Sequence, residues 1–272
     1  MRNIKLAIGY EGTRYAGWQA QGLVERRAGA TKRAQRKPTG KKKTIQELIE
    51  QALSRILQEK IKVIGSGRTD AGVHAFAQIA NFKTNSSLAC SNIHKGLNSL
   101  LPADIRISCA EEVASSFHSR FTARSKLYRY NIVNGAGVSP FMVRYAYWVR
   151  YPLDVSEMDC AAGYLLGRHN FRSFQAQDKK ERPAIRTLKR LDITAGSYKT
   201  AVGVEEQVIS IDIEADGFLY RMVRNIAGTL IEVGRGKLKP GEMKKILAAK
   251  NRAYAGPCAP AKGLCLVEVR YE

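Results

Sequence analysis

The chain has 272 residues, 44% of them hydrophobic, enough to bury a core in one large or two small domains and too apolar for a disordered chain. Its 45 Lys and Arg against 24 Asp and Glu leave a net charge of +21, which favours a polyanionic partner, nucleic acid ahead of an anionic membrane. No run of about 18 apolar residues is present to span a bilayer, and the five scattered cysteines (Cys90, Cys109, Cys160, Cys258, Cys265) include no C-x-x-C pair, so reduced thiols of a cytosolic protein are expected instead of disulfides or zinc.

Residues 1–10 alternate as a strand does and lack the long apolar core of a signal peptide. A basic stretch follows over 22–43, with nine basic residues, Glu25 as its acidic residue, and Gly29, Pro38 and Gly40. It is expected to be a mobile loop between a strand and a helix, touching RNA. The remaining 36 basic and 23 acidic residues keep the rest of the chain basic as well. Thr44-Ile45-Gln46-Glu47 reads as a capping box. Ile45, Leu48, Ile49, Ala52, Leu53, Ile56 and Leu57 then repeat at helical spacing. The pattern next predicts a strand over 60–64, a glycine-rich loop, a strand near 76–82, a helix over 91–100 ending before Pro102, and a strand over 105–113.

The second half repeats this order. A strand is predicted over 127–133, a helix over 156–166, strands over 185–193 and 208–213, and helices over 218–233 and 241–249. A last strand covers 264–271. Two split β-α-β units in tandem predict an α+β fold of two ferredoxin-like halves, residues 1–115 and 116–272, whose antiparallel sheets flank a basic cleft.

The densest cluster of polar and turn-forming residues is Gly65-Ser66-Gly67-Arg68-Thr69-Asp70-Ala71-Gly72-Val73-His74-Ala75. Its glycines let the backbone turn sharply and approach another group closely, and between them stand a guanidinium, a hydroxyl and a carboxylate. A dinucleotide-binding fingerprint would need glycine where Asp70 stands, and Gly236-Lys237 is followed by Leu238, not the Ser or Thr of a phosphate-binding loop. The histidines (His74, His94, His118, His169) show no paired metal-ligand spacing, and His74 reads as a hydrogen-bonded structural residue. No G-x-S-x-G elbow is present. Spacing alone leaves Asp70 either as a turn residue capping its own loop or as a functional carboxylate in a basic setting.

Gly67-Arg68-Thr69-Asp70-Ala71-Gly72-Val73-His74 closely resembles the signature loop of the tRNA pseudouridine synthase A family. The resemblance covers nearly the whole chain. Tyr10-Glu11-Gly12-Thr13 and Gly17-Trp18-Gln19 are similar to the family's opening, and Phe117-His118-Ser119-Arg120-Phe121 with Ser125-Lys126-Leu127-Tyr128-Arg129-Tyr130 to its centre. Gly167-Arg168-His169-Asn170-Phe171, Met222-Val223-Arg224-Asn225-Ile226-Ala227-Gly228 and Ala259-Pro260-Ala261-Lys262-Gly263-Leu264 match in order. Glu11 and Asn170 stand where the family commonly has Asp, and the basic stretch is longer than its pattern.

The resemblance implies isomerisation of uridine to pseudouridine at positions 38 to 40 of the tRNA anticodon stem-loop, without cofactor or metal. Asp70 would be the catalytic carboxylate. Tyr128 would stack on the flipped uracil, and its hydroxyl would take part in removing the C5 proton, its other reading being a packing aromatic of an alternating strand. Arg68 and Arg224 are the candidate guanidinium groups beside Asp70, with phosphate binding as their other reading, and Arg120 is assigned to the pocket or a phosphate. Tyr130, Trp18 and Trp148 read as packing. A cytoplasmic homodimer with one tRNA spanning both subunits is implied. The rival classes are a non-catalytic tRNA-binding or chaperone protein, which has no use for Asp70, and a uridine methyltransferase, which needs a cofactor loop or reactive Cys.

Overall fold

In a computed structural model describing residues 1–19, 42–177, 183–199 and 205–271, strand β1 (Arg2–Tyr10) turns Ile4, Leu6, Ile8 and Tyr10 into the core. The alternation visible in the sequence is thus the pleat of a strand with one face covered. β1 pairs antiparallel with β3 (His74–Thr84) on one side and β4 (Ile105–Val113) on the other. Helix α1 (Ile45–Leu57) opens with the expected capping box. The Thr44 side chain accepts from the Glu47 N–H at 3.2 Å, and Glu47 Oε2 accepts from the Thr44 N–H at 2.9 Å. A cap of this kind is worth about 1 kcal/mol. Ile45, Ile49 and Leu53 on its apolar stripe are fully buried. Residues 22–41 of the basic stretch, and with them the expected RNA-touching loop, lie outside the described residues.

The strand expected over 60–64 is a correction. Only β2 (Ile64–Gly65) pairs, antiparallel with Ala80 and Asn81 of β3. Ile61 and Val63 alternate inward as a strand's residues do. The backbone at Val63 is satisfied by helix side chains instead of a neighbouring strand: its N–H donates to Glu50 Oε1 at 2.9 Å, and its carbonyl accepts from Gln46 Nε2 at 3.1 Å. Helix α2 (Cys90–Leu100) then leads into β4.

In the second half, β5 (Ser125–Asn134) pairs antiparallel with β9 (Glu205–Ala215), which pairs with β8 (Ile185–Lys199). Ile209, Ile211 and Ile213 of β9 are buried opposite Ile132, Tyr130 and Tyr128 of β5. The other face of β9 is polar: Asp212 takes a two-bonded Arg129 at 2.7 and 2.8 Å, and Glu214 takes Arg270. Short strands β6 (Tyr147–Val149), beside β5, and β7 (Gly167–Asn170), beside β8, were not predicted, being too brief to show a period. Helices α3 (Val155–Gly163), α4 (Met222–Gly234) and α5 (Glu242–Ala249) and strand β10 (Leu264–Arg270) complete the elements. α4 starts four residues later than the apolar pattern predicts, because Arg221 before it is left-handed (φ 57°).

The strands join into one ten-stranded sheet, ordered β4-β1-β3-β10-β5-β9-β8-β7, with β2 beside β3 and β6 beside β5. The fold is α+β, and the sheets expected to flank a cleft are joined edge to edge among the described residues. The joint is parallel and short: Cys265 and Leu266 of β10 lie opposite His74 and Ala75 of β3.

Candidate active site

The loop carrying Asp70 leaves β2 and enters β3 at that joint. Its start is held to β3 by backbone and side chain. The Ser66 N–H donates to the Ile79 carbonyl at 2.7 Å, and the Gln78 amide bridges the Ser66 hydroxyl (2.6 Å) and the Gly67 carbonyl (3.0 Å). From the segment after β1, the Trp18 N–H donates to the Thr69 carbonyl at 3.1 Å, and the Tyr10 hydroxyl meets Thr69 Oγ1 at 2.8 Å. Gly17 makes this approach possible. It has φ +92°, and a Cβ there would lie 2.4 Å from the Thr69 oxygen. The Gly17-Trp18 pair thus serves the loop, with Trp18 buried as packing.

His74 is structural, as read from the sequence. Its Nδ1 accepts from the Gly12 N–H at 3.1 Å, and Nε2 faces the carbonyls of Arg144 (3.0 Å) and Lys262 (3.2 Å). That pattern fits a neutral ring protonated on Nε2. The Glu11 carboxylate 3.5 Å from Nδ1 is a neighbour and not a charged pair. Among the described residues no group of three His, Cys, Asp or Glu side chains could hold a metal ion, and no helix is long and apolar enough to cross a membrane.

Asp70 itself meets the second half of the chain. Its Oδ2 accepts from Arg224 Nη1 at 2.7 Å, and Arg221 Nε lies 3.8 Å away. Arg224 is fixed at both ends of its guanidinium, since Nε donates to the Ala259 carbonyl at 2.7 Å. The Ala259 N–H in turn donates to the Arg224 carbonyl at 3.1 Å. The 257–259 segment reaches α4 this closely because Gly228 lies one turn along, where a Cβ would sit 1.7 Å from the Pro257 oxygen. Asp70 Oδ1 accepts no hydrogen bond among the described residues, so one carboxylate oxygen is tied and the other is left for a ligand.

Tyr128 on β5 lies close enough to Asp70 to feel its charge. The ring packs edge-on against Phe218, centroids 5.1 Å apart, and is 7% exposed. Burial first, then Tyr10 and Asp70, push its phenol pKa far up, so it stays protonated. Tyr130, two residues on, is fully buried with its hydroxyl on the Pro260 carbonyl at 2.9 Å, a core residue as expected. Trp148 donates its indole N–H to the Gly135 carbonyl at 3.0 Å.

The remaining candidate arginines are elsewhere. Arg68 is exposed and makes no hydrogen bond or ion pair among the described residues, so of the two guanidinium candidates the structure brings Arg224 to Asp70 and leaves Arg68 outward. Arg120 is also exposed, its guanidinium 5.7 Å from the Phe121 ring centre. Arg221 was missed from the sequence, although a second arginine three residues before Arg224 was the available signal. Chemically, the site offers a carboxylate tied to Arg224 through one oxygen beside a neutral aromatic hydroxyl, with the exposed Arg68 two residues away.

A family model described as tRNA pseudouridine synthase matches residues 6–122 and 161–272. A protein named tRNA pseudouridine synthase A 2 from Clostridium perfringens is 42% identical over 271 residues, covering 100% of both chains. Proteins named tRNA pseudouridine synthase A from Thermoanaerobacter sp. and Ruminiclostridium cellulolyticum are 40% and 42% identical, again over 100% of both chains.

Proposed function

Given that the chain belongs to the tRNA pseudouridine synthase family, whose members isomerise uridine to pseudouridine in tRNA, we propose that Asp70 is its catalytic carboxylate and that its target uridines lie at positions 38 to 40 of the anticodon stem-loop. In the reaction the bond from uracil N1 to the ribose breaks and uracil C5 bonds to the same carbon. The C5 proton is lost and N1 gains one, so the product is an isomer of the substrate and no redox partner is needed. The observation that carries the assignment is the half-tied carboxylate: Arg224 holds Oδ2, and Oδ1 is free to attack the ribose or to take a sugar proton.

The target base leaves its stack at a cost of a few kcal/mol before it reaches the site. Tyr128 gives the extruded uracil a ring to lie against. Its raised phenol pKa supports a role as stacking surface and neutral hydrogen-bond donor, and disfavours a phenolate base for the C5 proton. Arg68 and Arg120, exposed and without an acidic partner, are phosphate contacts, and the basic stretch over 22–43 adds more.

The strand orders β4-β1-β3-β2 and β10-β5-β9-β8 support two ferredoxin-like halves, residues 1–115 and 116–272, with the site at their joint. A tRNA substrate makes the cytoplasm the expected compartment, and a homodimer with one tRNA across both subunits is the assembly the resemblance implies. The test is incubation with unmodified tRNA transcripts and no cofactor, followed by mapping of pseudouridine. Product confined to positions 38 to 40 is expected. Modification elsewhere overturns the stem-loop assignment, and binding without product supports the non-catalytic reading instead.

A further inference from the structure

We propose that Lys126 is a substrate-binding residue of this reaction, its ammonium taking the backbone phosphodiester of the nucleotide drawn into the Asp70 cleft. Lys126 lies on β5 two residues before Tyr128 and so on the same face of the strand. Its stem rests on the catalytic loop: a Cβ at Gly67 would lie 3.5 Å from Lys126 Cε and 3.9 Å from Cδ. Gly67 is three residues from Asp70.

Lys126 is partly covered, and its ammonium donates no hydrogen bond and enters no ion pair among the described residues. The charges around it do not serve it. Asp216 offsets part of its cost from outside ion-pair contact, while accepting the Thr187 N–H on Oδ1 at 3.1 Å. Arg120 is near enough to repel it, so a second cation acts on Lys126 as well. Burial and then Arg120 both push the Lys126 pKa down. A covered, unpaired cation is costly unless a ligand completes it.

The substrate supplies two kinds of acceptor, the neutral uracil carbonyls and the charged phosphodiesters. An unpaired ammonium resting on Gly67, with a second cation acting on it, matches the charged one, and a phosphate held there positions the attached ribose for Asp70. This inference rests on Asp70 being the catalytic carboxylate.

The experiment uses the full-length enzyme and an anticodon stem-loop RNA with a neutral methylphosphonate on the 5′ or the 3′ side of the target uridine. Lys126→Met is expected to lower kcat/KM by about thirtyfold, mostly through KM, without lowering the thermal midpoint, since an unpaired cation is removed. Lys126→Arg is expected to recover most of the loss. On one of the two methylphosphonate RNAs the wild type should lose a similar factor, and Lys126→Met should lose nothing more. If the methionine variant does not fold, Lys126→Gln takes its place. An unchanged kcat/KM overturns the proposal. So do losses that multiply on both RNAs, which would place the ammonium on uracil. Turnover retained by Asp70→Asn would instead remove the reading of the site itself. An inactive Asp70→Asn with a fully active Lys126→Met removes only the role of Lys126.

Discussion

Arg224 reaches Asp70 from 154 positions away in the chain, at 2.7 Å, with a second bond to the Ala259 carbonyl and a side chain only 12% exposed. Arg68, two positions from Asp70, points outward and holds nothing. The same guanidinium thus does two jobs. One copy is fixed by a helix and a carbonyl, so under the proposed role of Asp70 its charge costs no rearrangement during the reaction, which is how preorganised electrostatics works. The other is left unpaired on a loop, free to meet a phosphate. A cation's neighbourhood in sequence does not tell which job it has; its second hydrogen bond does.

The largest expected effect tests the centre of this contrast. Asp70→Asn keeps the shape of the side chain and removes its charge, so the single-turnover rate should fall by about a thousandfold or more. Affinity for tRNA should stay within about threefold, because phosphate contacts spread over the surface supply most of it. A rate within tenfold of wild type would remove Asp70 from its role. Next comes Arg224→Lys. An ammonium cannot reproduce both the Asp70 and the Ala259 bonds, and a displaced carboxylate should cost about a hundredfold in kcat with little change in KM. A variant of near-normal kcat would show that Arg221 alone holds Asp70 well enough.

The smallest effect is expected of Arg68→Ala. kcat should hold, KM should rise by about threefold, and the slope of log affinity against log salt should become shallower by about 0.7–0.9, the value of one lost phosphate contact. A fall in kcat as large as that of Arg224→Lys would end the distinction between the two arginines.

Much of this molecule could be read before its structure. The capping box at Thr44, the alternation in β9 and the bounds of β4 depend on local periodicity, which one face of burial imposes directly. What could not be read depends on partners distant in the chain. Residues 60–63 look like a strand because Ile61 and Val63 point inward, but Glu50 and Gln46 take the Val63 backbone groups a strand would share. The start of α4 depends on the left-handed turn at Arg221, which no apolar period signals. Asp70 was legible from a motif. Its division into one tied and one free oxygen was not, because that depends on where α4 packs.

The position of β10 in the sheet has a consequence for how the protein is made. It follows every other strand in the chain, yet it lies in the middle of the sheet, between β3 and β5. Until it emerges from the ribosome, two incomplete sheets carry open edges that invite wrong pairing. Their joining is a pairing between segments distant in the chain, the kind of contact that slows folding. Ala259, the residue that locks Arg224, lies just ahead of β10. A nascent chain that still lacks residues 259–270 therefore has neither the Ala259 carbonyl that holds Arg224 nor the strand that joins the two parts of the sheet.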